Sequence, residues 1–422
     1  MKRIEPNNIK ETTDIESLAY SAGFNVVEKV IQEREESNEY NIGSGKLDEI
    51  KDMAFKKNID AIIIDNNLGP YQMYNIAQKI PRHTRLLNRY TLILDIFEKR
   101  AESKETKLQI KMAKLRYELP RAEDKIKLSN RNKNIGFMGL QKYSDNQVKI
   151  IKDRIKNVKD KLSKIKKENK YRRQYQRDLG FNLVSIAGYT NSGKSTLFRR
   201  LSEPYTVSEN IERHDDLQPI AKSENVFFTT LDSITRRLNY DERNILITDT
   251  LGFIDDAPHW LIDSFETTYD NIYNSDIVLL TIDVTNPTKE IIRRTSAAHD
   301  ILSYRNQARI ITVLNKCDMI SDEELERKKR AIDFLAPTPV SISAKKGQNI
   351  TELKERIHRT LPPFETDRIM LPLQPKSMSL ISWIYNNASV INCEYTYNGV
   401  MIEYEAETRI ISKAKSKLKN IG

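Results

Sequence analysis

Apolar and polar positions change rhythm several times along the chain, and each change marks an element. Residues 15–24 carry apolar side chains at helical spacing, which predicts a short amphipathic helix. Residues 25–32 read as a strand, and 61–65 (Ala-Ile-Ile-Ile-Asp) as a short buried strand ending in a turn at Asn66-Asn67. Residues 91–117 hold a long apolar-periodic pattern closed by Leu119-Pro120, a helix stop. After a loop with Gly136 and Gly139, Val148, Ile151, Ile155, Val158, Leu162 and Ile165 recur at spacings of 3, 4, 3, 4 and 3. That is a heptad seam, and the two helices are expected to pair as an antiparallel hairpin. From residue 181, short apolar runs alternate with helical stretches. Residues 183–187, 244–248, 276–283, 309–314 and 339–343 are predicted strands of a βα series with a mostly parallel sheet. Residues 376–387 then read as a helix, 390–397 and 399–405 as a hairpin about Asn398-Gly399, and 412–419 as a basic helix or frayed end.

The pattern divides the chain into a small α/β unit at 1–86, a helical hairpin at 87–180, an α/β nucleotide-type domain at 181–364 and a small α/β domain at 365–422. A length of 422 residues suits several domains. With 39% apolar and 30% charged residues, a fully disordered chain is excluded. Two cysteines, Cys317 and Cys393, exclude a disulfide scaffold and fit a reducing cytosol. No run of about 18 apolar residues predicts a membrane span, and the first ten residues lack a signal-peptide apolar stretch, so a cytoplasmic protein is expected. The net charge of +10 is concentrated: residues 121–180 hold 19 Lys/Arg against 7 Asp/Glu, leaving 50 against 52 elsewhere. Lys152, Lys156, Lys159, Lys161, Lys164, Lys166, Lys167 and Lys170 line the second hairpin helix. Either a polyanion such as RNA binds there, or the lysines form a solvated face.

Gly188-Tyr189-Thr190-Asn191-Ser192-Gly193-Lys194-Ser195 matches G-x-x-x-x-G-K-[ST] between a predicted strand and a predicted helix. The two glycines let the backbone wrap phosphates, whose charge meets exposed N–H groups and a helix N-terminus. Lys194 is expected to reach the β- and γ-phosphates and the Ser195 hydroxyl to ligate Mg2+, with Thr196 next in the helix. Asp249-Thr250-Leu251-Gly252 follows a strand about 60 residues later, where an Asp contacts Mg2+ and a Gly N–H senses the γ-phosphate. Asn315-Lys316-Cys317-Asp318 follows the next-but-one strand. An Asp there accepts two hydrogen bonds from guanine, and leaving it unpaired would reject ATP roughly 10⁴-fold. Asn315 would tie this loop to the phosphate loop, and the Lys316 stem would stack on the base. Ser343-Ala344-Lys345 fits a loop whose Ala344 N–H bonds the guanine carbonyl. Phe228, Thr229, Thr230 and Leu231 lie where a switch threonine is needed; Thr230 is the choice and Thr229 the alternative. Lys194, Thr230 and Gly252 are the candidate catalytic groups, and Ser195, Thr230 and Asp249 the candidate metal ligands. Phe253 stands where many such enzymes hold a water-orienting Gln, so hydrolysis should be slow alone. Ile42-Gly43-Ser44-Gly45-Lys46 is either a phosphate contact or a tight turn entering a helix at Leu47.

These motifs resemble those of the HflX family of ribosome-associated GTPases. Gly188 to Phe198 looks like the family's G-Y-T-N-A-G-K-S-T-L-F, Phe228 to Asp232 with Arg236 like F-A-T-L-D-x-x-x-R, and Asp249 to Ile254 like D-T-V-G-F-I, its Phe in place of Gln included. Ser264-Phe265-Glu266-Thr267-Thr268 resembles the helix that follows. In the N-terminal half, Asp65 to Gln72, Arg89 to Phe97, and Leu108 to Arg121 resemble stretches that other GTPases lack. Gly136 to Lys142 departs from the family's Gly-rich loop by losing its Pro, one Gly and its Glu, and Asn88 replaces an Asp. The resemblance implies a P-loop GTPase domain behind an N-terminal α/β domain with a helical arm. It also implies Mg2+-dependent GTP hydrolysis, GTP and GDP as ligands, and contact with the large ribosomal subunit and its RNA near the peptidyl-transferase region. Splitting or rescue of ribosomes under stress, and a monomeric state, are further expectations. Two alternatives stay open: a non-enzymatic RNA-binding or ribosome-assembly factor using GTP structurally, and an ATP-driven enzyme, against which Asn315 and Asp318 argue.

Overall fold

The computed structural model describes residues 13–33, 37–66, 68–131, 145–202, 231–240, 243–255, 258–303, 308–336, 338–397 and 399–419. The chain begins with α1 (Thr13–Ser21), α2 (Ser44–Lys56), β1 (Ala61–Ile64), α3 (Pro70–Lys79), β2 (Arg85–Asn88), α4 (Arg89–Arg100), α5 (Lys104–Arg131) and α6 (Asp145–Asp178). Its central part holds β3 (Asn182–Gly188), α7 (Lys194–Ser202), β4 (Ile234–Tyr240), β5 (Arg243–Asp249), α8 (His259–Ser264), α9 (Glu266–Tyr273), β6 (Ile277–Asp283), α10 (Thr288–Ser303), β7 (Arg309–Asn315), α11 (Asp322–Ile332), β8 (Val340–Ile342) and α12 (Ile350–Thr360). It ends with β9 (Phe364–Leu371), α13 (Pro375–Asn387), β10 (Ser389–Thr396), β11 (Gly399–Glu407) and α14 (Thr408–Lys419). Two compact units result. The first contains Met1–Lys166, residues 231–232 and Ile254–Thr267; the second contains the segment from Lys167, Ser233–Phe253 and Thr268–Gly422.

In the first unit, β1 and β2 form a parallel pair running from Ala61↔Arg85 to Ile64↔Asn88. Apolar residues of α2, β1, the following loop and α3 close around it: Leu47, Ile50, Ile64, Leu68 and Ile76 are all buried. Four of the six predicted seam residues pack against α5. Val158 packs with Met112 and Leu115, flanked by Leu108, Ile151, Ile155 and Leu162. Two local readings need correction. Residues 25–32 join no ladder and hold only a bridge residue at Ile31. Residues 91–117 are two helices, because α4 ends at Arg100 and α5 starts at Lys104, where the Ser103 hydroxyl accepts from Thr106 N at 3.0 Å as a cap. Nor does Pro120 stop α5. On the turn it disturbs, the Tyr117 carbonyl accepts from the Arg121 guanidinium at 3.1 Å. The Gly136–Gly139 loop lies outside the described residues.

The second unit is built on a six-stranded sheet in the order β4-β5-β3-β6-β7-β8, parallel except for β4. This is the α/β, mostly parallel P-loop architecture that the strand spacing implies. Fully buried β3 and nearly fully buried β6 read as continuous apolar runs because both faces are covered. The antiparallel edge strand β4 went unread; of its described side chains only Leu238 is buried, so it shows no apolar pattern. The last stretch of the unit adds an antiparallel sheet, β10-β11-β9, under α13 and α14. The expected hairpin forms there with Thr396 opposite Gly399, while β9 was not foreseen.

Candidate nucleotide site

Four predicted segments meet at the carboxyl ends of β3, β5, β7 and β8, where open parallel sheets bind ligands. The loop from Gly188 to Ser195 joins β3 to α7. Gly188 has φ 144°, and a Cβ there would overlap the Thr281 carbonyl. Gly193 has φ 92°, and its Cβ would overlap Asn315 Nδ2. Only glycine fits either position, since both space and backbone forbid a side chain. Asn191 also takes the left-handed conformation, at φ 63°. Leu197 N donates to Gly193 O at 2.9 Å and starts α7, whose N-terminus faces the phosphate loop with the positive end of the helix dipole.

Lys194 is 7% exposed, and its ammonium donates to Tyr189 O at 2.7 Å. Burial lowers its pKa to about 8, while the Asp249 carboxylate pulls the other way. Asp249 closes β5 and is buried, and Thr250 Oγ1 behind it donates to Ile186 O at 2.7 Å. Leu251 is buried beneath. A Cβ on Gly252 would sit 2.7 Å from Lys194 Nζ, so Gly252 and the lysine face the same point. Phe253 N donates to Gly188 O at 2.9 Å, and Phe253 O accepts from Thr190 N at 3.2 Å. Its ring meets Tyr189 edge-on at 5.7 Å and stacks on Tyr269 at 6.1 Å. Phe253 is thus a buried packing residue in this state, with no group for a water.

Asn315 links three loops. Its Nδ2 donates to Ser192 O at 2.8 Å, and its Oδ1 accepts from Ala344 N at 3.0 Å. The tie to the phosphate loop is the one read from the sequence. Lys316 sits at φ 67° with its ammonium on Asp283 at 2.6 Å. Cys317 is buried and its thiol pushed up by burial. The Ser343 hydroxyl and the Lys346 ammonium, 3.3 Å away, hold the Asp318 carboxyl below its usual range. Lys345 O accepts from Arg200 at 2.9 Å. Asp283, Arg200 and Lys346 were missed. Asp283 has the clearest signal, an acidic residue ending a buried strand one strand before the Asn315 loop. Phe228, Thr229 and Thr230 lie outside the described residues, and Leu231 is buried in the first unit. Ile42–Lys46 leads into α2 at Ser44, so the helix starts three residues before Leu47.

A divalent cation here would meet hard oxygens, the Ser195 hydroxyl at the start of α7 and the Asp249 carboxylate, a donor set that suits Mg2+. Among the described residues, no group of three His, Cys, Asp or Glu side chains is arranged to hold a metal. None of the described helices is long and apolar enough to cross a membrane.

Three family models match in succession: a GTP-binding GTPase N-terminal region at residues 10–98, a GTP-binding GTPase middle region at 100–176 and a 50S ribosome-binding GTPase at 183–316. The GTPase HflX of Thermococcus kodakarensis is 36% identical over 90% of this chain and 85% of its own length. The chain belongs to the HflX family of GTPases. A second HflX, from Methanocaldococcus jannaschii, is 33% identical over 97% of this chain and 96% of its own. A GTP-binding protein from Sulfolobus solfataricus, solved with GDP, matches over 83% of this chain and 94% of its own, at 24% identity and a TM-score of 0.46. As an HflX GTPase the protein hydrolyses GTP, which sets aside the non-enzymatic and ATP-driven alternatives.

Proposed function

We propose that this HflX GTPase is a nucleotide-controlled switch on the large ribosomal subunit, acting in ribosome splitting or rescue under stress. The observation that carries the reading is a complete set of guanine and phosphate loops in a chain whose helical arm holds its entire positive excess. Asp318 accepts the guanine donors, and Asn315 holds the guanine loops in register with the phosphate loop; the Ala344 N–H expected on the guanine carbonyl is instead taken by Asn315 Oδ1. Lys194, Thr230 and the Gly252 N–H stabilise charge at the γ-phosphate. Ser195, Asp249 and Thr230 would hold Mg2+, which when bound supplies charge neutralisation on the β- and γ-phosphate oxygens. Phe253 gives no hydrogen bond to an attacking water, so turnover alone is slow and ribosomal contact accelerates it.

The test is GTP hydrolysis with and without purified large subunits at two salt concentrations, beside a Lys194→Ala variant. Strong, salt-sensitive stimulation and a variant that neither binds GTP tightly nor turns over are expected. No stimulation despite good GTP binding would overturn the ribosomal reading, and normal turnover in the variant would overturn the site.

A further inference from the structure

The C-terminal part of α6 has two unlike faces, both within the second unit. One face is held down. Asn169 is buried, Arg173 donates to Asn271 Oδ1 at 3.1 Å, and Arg177 donates to Asn274 O at 2.5 Å and Asp276 Oδ1 at 3.2 Å. The opposite face carries Tyr171 and Tyr175, which are 77% and 64% exposed. At 3.6 residues per turn the two rings are about 40° apart around the axis and about 6 Å apart along it, while Arg173 is about 160° away from each. The exposed Lys167 lies one turn before Tyr171, and the exposed Lys170 lies about 100° around the axis from Tyr171; the exposed Glu168 sits nearer Tyr175, about 20° from it. Arg172 is turned back, donating to Asn169 Oδ1 at 3.0 Å.

Neither tyrosine is needed for the core, and two neighbouring aromatic rings in water are a costly surface unless something covers them. A protein partner's hot spot would be depleted of lysine, whereas lysines are interleaved here. Duplex RNA keeps its bases stacked inside and offers mainly phosphates and hydroxyls. Unpaired nucleotides offer both things this face can use: an open base for each ring, and phosphates for the ammonium groups.

We infer that the Tyr171–Tyr175 face of α6 binds unpaired RNA, each ring stacking one base while Lys167 and Lys170 meet the flanking phosphates. This rests on the proposed RNA contact of the arm and names the residues that make it. Full-length protein would be titrated by fluorescence anisotropy into a uridine-rich single strand of about 12 nucleotides and into a duplex of the same length. Large-subunit pelleting would be run in parallel. Stacking lost on Tyr→Ala lowers single-strand affinity by roughly 5- to 150-fold per ring, so Y171A/Y175A should lose at least about 25-fold. It should leave the salt slope unchanged, and Y171F/Y175F should stay within about twofold of wild type. Lys167→Gln with Lys170→Gln should instead flatten the salt slope by about 1.4. Wild-type single-strand affinity in Y171A/Y175A overturns the inference alone, as does an equal loss on duplex. Reduced large-subunit binding with unchanged RNA affinity assigns the face to a protein and overturns it too. A wild-type protein that binds neither RNA nor large subunits overturns both this inference and the reading beneath it.

Discussion

Removing the Asp232 carboxylate should loosen the start of α5. In the first unit Asp232 accepts from Glu102 N at 3.0 Å, from Ser103 N at 3.1 Å and from the Thr106 hydroxyl. These amides stand where a helix has no internal acceptors, and a negative charge there also complements the helix dipole. After Asp232→Ala, Glu102 N and Ser103 N can turn to water, but the buried Thr106 loses its acceptor. Hydrogen bonds to a charged acceptor contribute about 1.5–3 kcal/mol each and a cap about 1 kcal/mol, and here they overlap; the net cost is about 2 kcal/mol. For a unit of this size that lowers the melting temperature by about 4–8 °C. Calorimetry, with amide exchange read over residues 104–107, checks it. Asp232→Asn keeps the shape without the charge and should lose about half as much. Burial alone would raise this carboxyl, but the Ser103 and Thr106 hydroxyls and the amides of Ser103 and Glu102 outweigh it and hold it below its ordinary value. With the folded value below the unfolded one, the stabilisation is present above about pH 4 and is lost as pH falls through the folded value. The gap between wild type and the alanine variant therefore narrows in acid. Because Asp232 lies two residues from Thr230, turnover should also drop while GDP affinity holds, GDP having no γ-phosphate. An unchanged melting temperature with unchanged exchange, or a gap that widens in acid, would refute the reasoning.

Two further substitutions probe the second unit. Gly193→Ala forces a left-handed alanine onto Asn315 Nδ2, should cost about 2–3 kcal/mol and should abolish GDP binding by calorimetry; near-native affinity would contradict the geometry. Phe253→Gln removes a ring held between Tyr189 and Tyr269, so stability should fall by about 3 kcal/mol in chemical denaturation, and a rise of about tenfold or more in intrinsic GTP turnover would show that the position can host a water-orienting group after all.

The nucleotide loops were legible because each is a short segment whose chemistry is local. A phosphate loop needs glycines at two fixed offsets, and Gly188 and Gly193 show why in their φ angles and in what a Cβ would strike. The buried strands were legible from their apolar runs. What was missed depends on distant partners. The α4–α5 break at residues 101–103 looks like continuous helix in sequence, because its Asp232 acceptor lies about 130 residues away. Pro120 reads as a stop until the Arg121 side chain is seen on the Tyr117 carbonyl. β4 is an edge strand with nothing to bury, and periodicity cannot register a strand whose stability comes from pairing with β5 alone.

The division of the chain gives the proposed ribosomal control a physical route. The segment directly after Phe253, Ile254–Thr267, belongs to the first unit with the arm helices. There Gln109 donates to the Thr267 hydroxyl, Arg116 donates to Trp260 O at 3.3 Å, Lys166 pairs with Glu266 at 3.1 Å, and Phe97 meets Phe265 edge-on at 5.3 Å. Asp232, at the other junction, is tied to α5 in the same unit. Both stretches that adjoin the nucleotide-sensing motifs in sequence are therefore anchored to arm helices rather than left to move alone. A ligand that grips the arm shifts the segment following Gly252 only by as much as it prefers one of that segment's arrangements, and GTP must shift arm affinity by the same factor. On the proposed function, slow intrinsic turnover at a Phe-bearing site and stimulation through the arm would be two sides of one coupling. Large-subunit affinity measured with GTP-loaded and GDP-loaded protein gives its size, and equal affinities in the two states would mean that no such coupling exists.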